Sequence, residues 1–218
     1  ETATGQCVPT CTSDCLGKEC GDDGCGVVDG CGTCGANATC TLDGLCSQWS
    51  ATAITGAPAA RTGHLAVWTG NELIIWGGPG KNTGGRHTPS TNTWVTTTTT
   101  GAPIKRDGFA GVWTGTRMLV FGGVNPVAGH LNDGSSYNPA TDSWTALSTT
   151  NAPTPRRAHA AVWTGSLMLV WGGRTDSTYF RDGGEYNPST NTWTAIPGVF
   201  DVSSGRYDVA AAWTGSRM

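Results

Sequence analysis

Short apolar runs of strand length, each closed by a pair of glycines, recur along most of the chain. They occupy residues 73–76, 118–121 and 167–171, and polar turns rich in Thr, Asn, Pro and Gly separate them from the next apolar segment. Runs of this length that are bounded by turn residues and enriched in branched and aromatic side chains are typical of strands buried on both faces. We therefore predict an all-β fold made of many short strands.

These runs are one part of a longer repeat. The phrase Trp-Thr-Gly returns at steps of 45, 50 and 50 residues. It begins at Trp68, Trp113, Trp163 and Trp213. In the clearest unit, strand a ends at Trp163, strand b is the run 167–171, strand c ends near Tyr186, and strand d contains Trp193. A period near 50 residues is typical of stacked supersecondary units, so each unit is predicted to be one four-stranded antiparallel sheet.

The repeat sets the expected blades of a β-propeller. The predicted blades cover about residues 61–96, 106–147 and 157–196, and a further strand a is expected to start at residue 206. Propellers contain roughly four to eight blades, and an open ring leaves strand edges unpaired. We therefore expect the ring to be completed either by a longer polypeptide or by a second copy of the chain.

A stretch before the first predicted blade resembles an isolated strand d. Trp49 precedes Trp94 by 45 residues, and the residues after Trp49 are similar to those of the other d strands. Propellers commonly complete their last blade with a strand from the other end of the chain. Residues 48–54 are therefore predicted to form an orphan outer strand.

The unit resembles the kelch repeat of β-propellers, which carries a di-glycine after its second strand and a later Tyr and Trp. Tyr137 with Trp144 and Tyr186 with Trp193 match this pattern, whereas the first unit has His87 at the Tyr position. The resemblance implies a kelch-type β-propeller of four-stranded antiparallel blades, similar in architecture to the central domain of galactose oxidase.

The same resemblance raises the question of an enzyme. Galactose oxidase-like copper enzymes use a propeller cysteine cross-linked to a tyrosine, together with copper-binding histidines and tyrosines. No cysteine follows Cys46, so the sequence lacks that centre. We predict no catalytic residues, no cofactor and no metal, and expect the protein not to be an enzyme. A sugar-acting enzyme whose catalytic residues lie outside this sequence is the alternative.

The first 46 residues differ in kind from the rest. They contain all nine cysteines and few large apolar residues, so cross-links must replace a core and residues 1–46 are predicted to form an irregular disulfide-stapled module before a propeller at 47–218. An odd number leaves one cysteine unpaired or paired outside, and zinc is the alternative to disulfides. The segment resembles short Cys/Gly-rich modules of secreted bacterial surface proteins. The cysteines are Cys7, Cys11, Cys15, Cys20, Cys25, Cys31, Cys34, Cys40 and Cys46.

Cysteine usage and charge restrict location and partners. Disulfides persist in oxidising surroundings, which predicts a secreted or cell-surface protein. Asn37 begins an Asn-Ala-Thr glycosylation sequon. The formal net charge of −3 gives no basic footprint for nucleic acid, and no apolar run approaches the length that spans a bilayer.

The connections between strands indicate where binding would occur. In an a-b-c-d sheet, the b–c and d–a connections share one face, and here the b–c connections differ in length and sequence, which is typical of a functional face. One arginine precedes each strand a on that face, and such guanidinium groups could hold the carboxylate or sulfate of an acidic sugar. The alternative is that each arginine ties blades together through carbonyls or carboxylates. The candidates are Arg61, Arg106, Arg157 (with its neighbour Arg156) and Arg206.

Three histidines were considered as ligands or catalysts. His64 and His159 hold equivalent repeat positions at the start of strand a, and both are predicted to be structural groups rather than metal ligands. His130 lies in the longest b–c connection without a partner set for catalysis or metal binding.

Together these features predict an extracellular, non-enzymatic structural or interaction protein, a kelch propeller on a disulfide-rich stalk, for example a subunit of a surface fibre or matrix. Its predicted partners are other copies of the chain or other extracellular proteins, and glycans. The alternatives are a carbohydrate-binding or adhesion module that uses the face of the b–c and d–a connections, and the sugar-acting enzyme described above.

Overall fold

The computed structural model describes residues 38–40, 46–48, 51–197 and 205–218. The chain divides into two compact units, Glu1–Thr52 and Ala53–Met218. In the first unit, strand β1 (Ala38–Cys40) pairs with β2 (Cys46–Gln48) in an antiparallel ladder. The disulfide-stapled module and the glycosylation site at Asn37 fall on residues whose side chains lie outside the described part, so both stay predictions.

The second unit contains three four-stranded antiparallel sheets, each with its strands in sequence order. Blade 1 consists of β3 (Leu65–Trp68), β4 (Leu73–Trp76), β5 (Gly84–Thr88) and β6 (Thr93–Thr96). Blade 2 consists of β7 (Ala110–Trp113), β8 (Met118–Phe121), β11 (Gly134–Asn138) and β12 (Ser143–Ala146), and its b–c connection carries the hairpin of β9 (Val124–Asn125) and β10 (Gly129–His130). Blade 3 consists of β13 (Ala160–Trp163), β14 (Met168–Trp171), β15 (Gly183–Asn187) and β16 (Thr192–Ile196). The predicted all-β fold of four-stranded antiparallel blades is confirmed for these three units.

The tight a–b turn explains where strand b begins. In blade 3 the amide of Thr164 donates to the carbonyl of Leu167, so Leu167 closes the turn and β14 starts one residue later than the run 167–171 predicts. The hydroxyl of Thr164 accepts from the amides of Ser166 and Leu167, and Gly165 has a φ of 102°. Only glycine adopts that backbone without strain, which accounts for the repeated Trp-Thr-Gly phrase.

Two predicted strands are absent from the described residues. Residues 206–213, expected to form a further strand a, belong to no sheet, because strand a pairs with strand b in each blade and no b strand follows within residues 205–218. Residues 51–54 of the predicted orphan strand also form none, and Trp49 lies outside the described part.

Ala53 nevertheless makes the contact that the orphan strand alignment requires. Its amide donates to Asn92 Oδ1 at 2.8 Å, and its carbonyl accepts from Trp94 Nε1 at 2.8 Å. Thr98 makes the same two contacts with Asp142 and Trp144 of blade 2. Thr98 stands four places after Trp94. Ala53 stands four places after Trp49, so the spacing from which strand 48–54 was predicted is preserved in the contacts of blade 1.

Apolar side chains meet between adjacent sheets in two clusters, which we call the first and second seam. Strand β8 contributes to both, because all four of its residues are buried. The first seam, between blades 1 and 2, contains Val67, Ile74, Trp76, Met118, Val120, Tyr137 and Trp144. The second seam, between blades 2 and 3, contains Val112, Leu119, Phe121, Leu147, Met168, Val170, Tyr186 and Trp193. The b strands therefore hold neighbouring blades together, as the continuous apolar runs predict.

Candidate functional site

The b–c and d–a connections lie together on one face of the blades, which we call the loop face. The contacts of Arg106, in the connection that enters blade 2, show why. Its Nη1 donates to the carbonyls of Gly122 at 2.9 Å and Asp133 at 3.1 Å, which begin and end the b–c connection of that blade. The same guanidinium lies 3.0 Å from the Asp133 carboxylate, and the side chain is fully buried. Arg106 therefore fixes both ends of the loop.

Arg156 repeats this arrangement in blade 3. It donates to the carbonyls of Gly172 at 2.9 Å and Asp182 at 3.0 Å, and also to the Asp182 carboxylate at 2.9 Å. The ring of Phe180 lies 4.2 Å from the guanidinium carbon. Burial lowers the pKa of Arg156, and the Asp182 carboxylate opposes that shift. A buried cation with this set of partners stabilises the loop scaffold and leaves little of the guanidinium for a ligand.

Arg61 holds the corresponding place in blade 1, with one difference. It donates to the carbonyls of Gly77 at 3.0 Å and Thr83 at 2.6 Å, but the carboxylate position is taken by the hydroxyl of Thr83. Partial burial lowers the pKa of Arg61. The clamp residues of the three blades are therefore Arg61, Arg106 and Arg156.

The four arginines predicted as a ligand set do not share one role. Arg61 and Arg106 bond carbonyls, as the structural alternative expects, but each joins the two ends of one b–c connection in its own blade and does not tie neighbouring blades. Arg157 is half-buried next to the clamp and forms an ion pair with Asp176 at 3.1 Å. Arg206 makes backbone contacts with blade 3, where its carbonyl accepts from Gly173. A ligand-binding role for these residues stays a prediction.

In blades 1 and 2, the first glycine of the di-glycine after strand b makes room for a ring of the following blade. A Cβ on Gly77 would lie 2.6 Å from the ring of Phe109, and a Cβ on Gly122 would lie 2.7 Å from the ring of His159. Gly77 and Gly122 have φ of 78° and 67°, so backbone and space both require glycine. The kelch di-glycine therefore serves the seams.

His159 is a buried neutral group of the second seam. Its ring and that of Phe121 form a T-shaped pair at a centroid distance of 5.7 Å. Burial, with a further contribution from the positive charge of Arg156, lowers the pKa of His159 to about 3. Neither ring nitrogen has a hydrogen-bond partner among the described residues. His64, at the equivalent position of blade 1, is exposed.

His130 lies near a charged pair on the loop face. Its Nε2 is 3.7 Å from Asp176 Oδ1, the oxygen that Arg157 also contacts. No group of three His, Cys, Asp or Glu side chains within the described ranges is placed to hold a metal ion.

Two exposed tyrosines form the most prominent aromatic feature of the loop face. Tyr179 is 50% exposed and Tyr207 is 42% exposed, and their ring centroids are 5.2 Å apart. The guanidinium carbon of Arg174 lies 5.0 Å from the centroid of Tyr207. We call these three residues the tyrosine patch. Sequence analysis did not identify it, although Tyr207 departs from Thr62, Asp107 and Arg157 at the same repeat position.

The tandem four-stranded sheets, their di-glycine bends and their arginine clamps define a kelch-type propeller domain. Residues 26–218 match the model of the KLHDC2/KLHL20/DRC7 Kelch-repeats domain. The chain therefore belongs to this family of kelch-repeat domains, which mediate protein–protein interaction.

No curated protein matches the chain. Over the residues that the structure describes, no helix is long and apolar enough to cross a membrane.

Proposed function

We propose that this protein is an extracellular, non-enzymatic interaction module whose loop face binds other copies of the chain or other extracellular proteins. The propeller would present the loop face, and the disulfide-stapled N-terminal segment would serve as its stalk in a surface fibre or matrix. The observation that carries the proposal is the tyrosine patch, a pair of half-exposed rings in tilted contact beside an arginine on a rigid scaffold.

The chemistry of the patch suits a protein interface. Tyr and Arg are enriched among the few residues that carry most of the binding energy of interfaces, because they combine large contact area with polar groups. Tyr179 and Arg174 are joined by an antiparallel bridge, which limits the movement of the loop between them. A surface held in place before binding loses less conformational entropy when a partner docks.

The ionisable groups of the loop face support a non-catalytic role. Arg106 and Arg156 are engaged by backbone carbonyls and carboxylates. His159 is buried and neutral at physiological pH. These side chains maintain the scaffold, whereas an acid or base catalyst needs a group that can reach a substrate proton.

The extracellular assignment rests on the nine cysteines in the first 46 residues. Alkylation with iodoacetamide followed by intact mass measurement tests it on protein isolated without reductant. The proposal expects at most one added group before reduction and nine after it, because four internal disulfides use eight of the nine cysteines and the ninth is free or paired outside. Nine added groups before reduction would contradict the disulfide-stapled stalk.

Self-association tests the interaction surface. Sedimentation equilibrium over a concentration series should show oligomers for the unmodified chain and a shift towards monomer for the variant Y179A/Y207A. Val95→Ser is the matched control, because Val95 is 51% exposed but lies on the outer strand β6. Equal association of all three proteins would remove the tyrosine patch from the interface, and a monomer at every concentration would exclude the fibre-forming role.

A further inference from the structure

The opposite face, formed by the a–b and c–d turns, differs between the two seams. In the first seam, Arg86 of β5 reaches across to blade 2 and donates to the carbonyl of Pro139. The carboxylate of Glu72 lies 3.7 Å from the same guanidinium. One arginine, neutralised by one carboxylate, therefore closes the first seam on the turn face.

The second seam has neither of these residues. Ser136 faces blade 3 and holds the repeat position of Arg86. Arg86 pairs with Ile74 of strand b in blade 1, and Ser136 pairs with the equivalent Leu119 in blade 2. Arg117 holds the repeat position of Glu72. In both residues the backbone amide donates to the hydroxyl of the threonine of the a–b turn. Where the first seam has an ion pair of Glu72 and Arg86, the second seam therefore has one cation, Arg117, and a serine.

Both replacements leave polar groups without partners. Ser136 is 7% exposed, and its Oγ has no hydrogen-bond partner in the described part of the chain. The Arg117 side chain lines recesses on both of its sides, and among the described residues it has no hydrogen bond or ion pair. The Ser136 hydroxyl lines only one of these recesses, whereas the Arg117 guanidinium lines both and is free to donate to a ligand that supplies acceptors.

The space next to Arg117 is an open cleft of about 510 Å³ between the turns of blades 2 and 3. Its other walls are the half-buried ring of Trp163 and a set of neutral hydroxyl and amide side chains. These side chains are Thr114, Thr116, Ser166, Asn187 and Ser189. A smaller recess of about 220 Å³, lined by Ser136, lies on the far side of Arg117.

We propose that this cleft binds a carboxylate-bearing saccharide. Arg117 would pair with the carboxylate in a bidentate, charge-assisted contact. The Thr, Ser and Asn side chains both donate and accept hydrogen bonds, which matches the hydroxyl groups of a sugar ring. Trp163 supplies the apolar wall on which the ring face rests.

The composition of the cleft favours an acidic saccharide over an acidic peptide. A single cation among the cleft's side chains fits one carboxylate, and the surrounding groups are neutral and hydroxyl-rich. A run of Asp or Glu side chains would find no second cation there, and each desolvated extra carboxylate would weaken binding. The site lies on the turn face, so it is independent of the loop-face interaction proposed above.

Isothermal titration of the full chain with glucuronic acid, with glucose as the neutral comparison, tests this site. The proposal expects saturable glucuronate binding that is at least tenfold tighter than glucose binding. Arg117→Gln should weaken glucuronate binding at least tenfold. The matched control is Arg217→Gln, because Arg217 holds the same position in the fourth Trp-Thr-Gly turn.

A second variant is designed to fill the cleft with charged side chains instead of removing a charge. The double substitution R117E/S136R transfers the Glu72–Arg86 pair of the first seam to the second, so its fold should be retained and its glucuronate binding lost. Circular dichroism with thermal unfolding verifies folding. Equal binding by the unmodified chain and Arg117→Gln, absence of saturable glucuronate binding, or Arg117-dependent binding of poly-glutamate instead would each overturn the proposal.

Discussion

The two seams have the same backbone scaffold but different side chains within it. At the first seam Phe109 forms a T-shaped pair with Trp76 at a centroid distance of 5.4 Å, and at the second His159 forms one with Phe121 at 5.7 Å. In both seams, a tryptophan of the following blade packs on the same b-strand ring, at 5.2 Å and 4.6 Å. The geometry is conserved between the repeats although its chemistry is not.

The comparison of the two seams distinguishes the residues that build the common scaffold from the residues that vary between repeats. The clamp arginines, the di-glycines and the tryptophan bonds to the preceding repeat recur. The clamps hold the b–c connection of each blade, and the di-glycines and tryptophans fix how neighbouring blades pack. The residues between them vary: Phe109 becomes His159, and Arg86 becomes Ser136. The second seam therefore has a buried histidine and an unpaired arginine beside an open cleft, where the first seam has a phenylalanine and an arginine–glutamate pair.

The largest expected effect concerns the arginine clamp, which recurs in the blades on both sides of the second seam. Arg156→Ala removes the donor to two buried carbonyls and the partner of Asp182, and should lower the free energy of unfolding by about 3–5 kcal/mol. Urea denaturation at pH 7 measures it. Arg157→Ala is the neighbouring control, and because its ion pair with Asp176 is exposed, it should cost less than about 1 kcal/mol. Similar losses for both variants would contradict the clamp.

The second prediction isolates the histidine of the second seam. The folded pKa of His159, about 3, lies below its ordinary value of 6.5, so between these values the unfolded chain binds a proton that the folded chain does not. Stability from this group is therefore lost as the pH falls from about 6.5 to about 3. Its loss between pH 7 and pH 5 should be about 2 kcal/mol.

His159→Phe, which copies Phe109 of the first seam, should remove that component. Urea denaturation at the two pH values compares the variant with the unmodified chain. His64→Phe is the control, because His64 is exposed and its replacement should leave the pH dependence intact. An unchanged pH dependence in His159→Phe would show that His159 is not the responsible group.

A smaller effect is expected from the hydroxyl groups that brace the c–d turns. Tyr137 donates to Asp142 Oδ1 at 2.6 Å and Tyr186 donates to Asn191 Oδ1 at 2.8 Å, while burial raises the pKa of both tyrosines. Each Tyr→Phe substitution should cost about 1 kcal/mol, since one hydrogen bond is lost and the ring stays. A loss in only one of the two blades, measured by urea denaturation, would show that the turns are not equivalent.

The smallest effect should be a gain in stability. Ala158 has a φ of 55° at the position where the earlier repeats have Gly63 and Gly108. Ala158→Gly should relieve that strain and raise the free energy of unfolding by about 0.5 kcal/mol, and Gly108→Ala should lower it. Thermal unfolding of both variants provides the comparison, and a destabilised Ala158→Gly would argue against strain at this position.

Much of the fold could be predicted from the sequence, because the same pattern of apolar, turn and glycine positions recurs in each repeat. Strand bounds such as 118–121 follow from continuous apolar runs. Tyr137 and Trp144, which carry the kelch resemblance, are partners in the ladder between strands c and d, a pairing that the motif alone does not predict. His87 shows how a substitution can keep a contact. Its Nε2 is 3.1 Å from Asn92 Oδ1, and its ring lies on Trp94 as the tyrosines lie on their tryptophans.

The candidate site was less predictable, since it depends on departures from the repeat. Two consecutive arginines made Arg156 and Arg157 interchangeable in sequence, whereas only Arg156 has the clamp contacts. The tyrosine patch forms because Tyr179, in a non-repeating loop, meets Tyr207 from the next unit. Arg117 could not be identified from its own repeat. Its significance follows from Glu72, which holds the same repeat position in blade 1 and lies beside Arg86, whereas Arg117 has no such partner.

The most direct test of the equivalence of the two seams is to move the histidine from one to the other. The exchange variant F109H/H159F carries the same residues at opposite seams, and its stability can be measured by urea denaturation at pH 7 and pH 5. Equivalent seams predict that the exchange variant loses as much stability on acidification as the unmodified chain, including the histidine component of about 2 kcal/mol, whereas His159→Phe alone should lack that component. An exchange variant as insensitive to pH as His159→Phe would contradict the account.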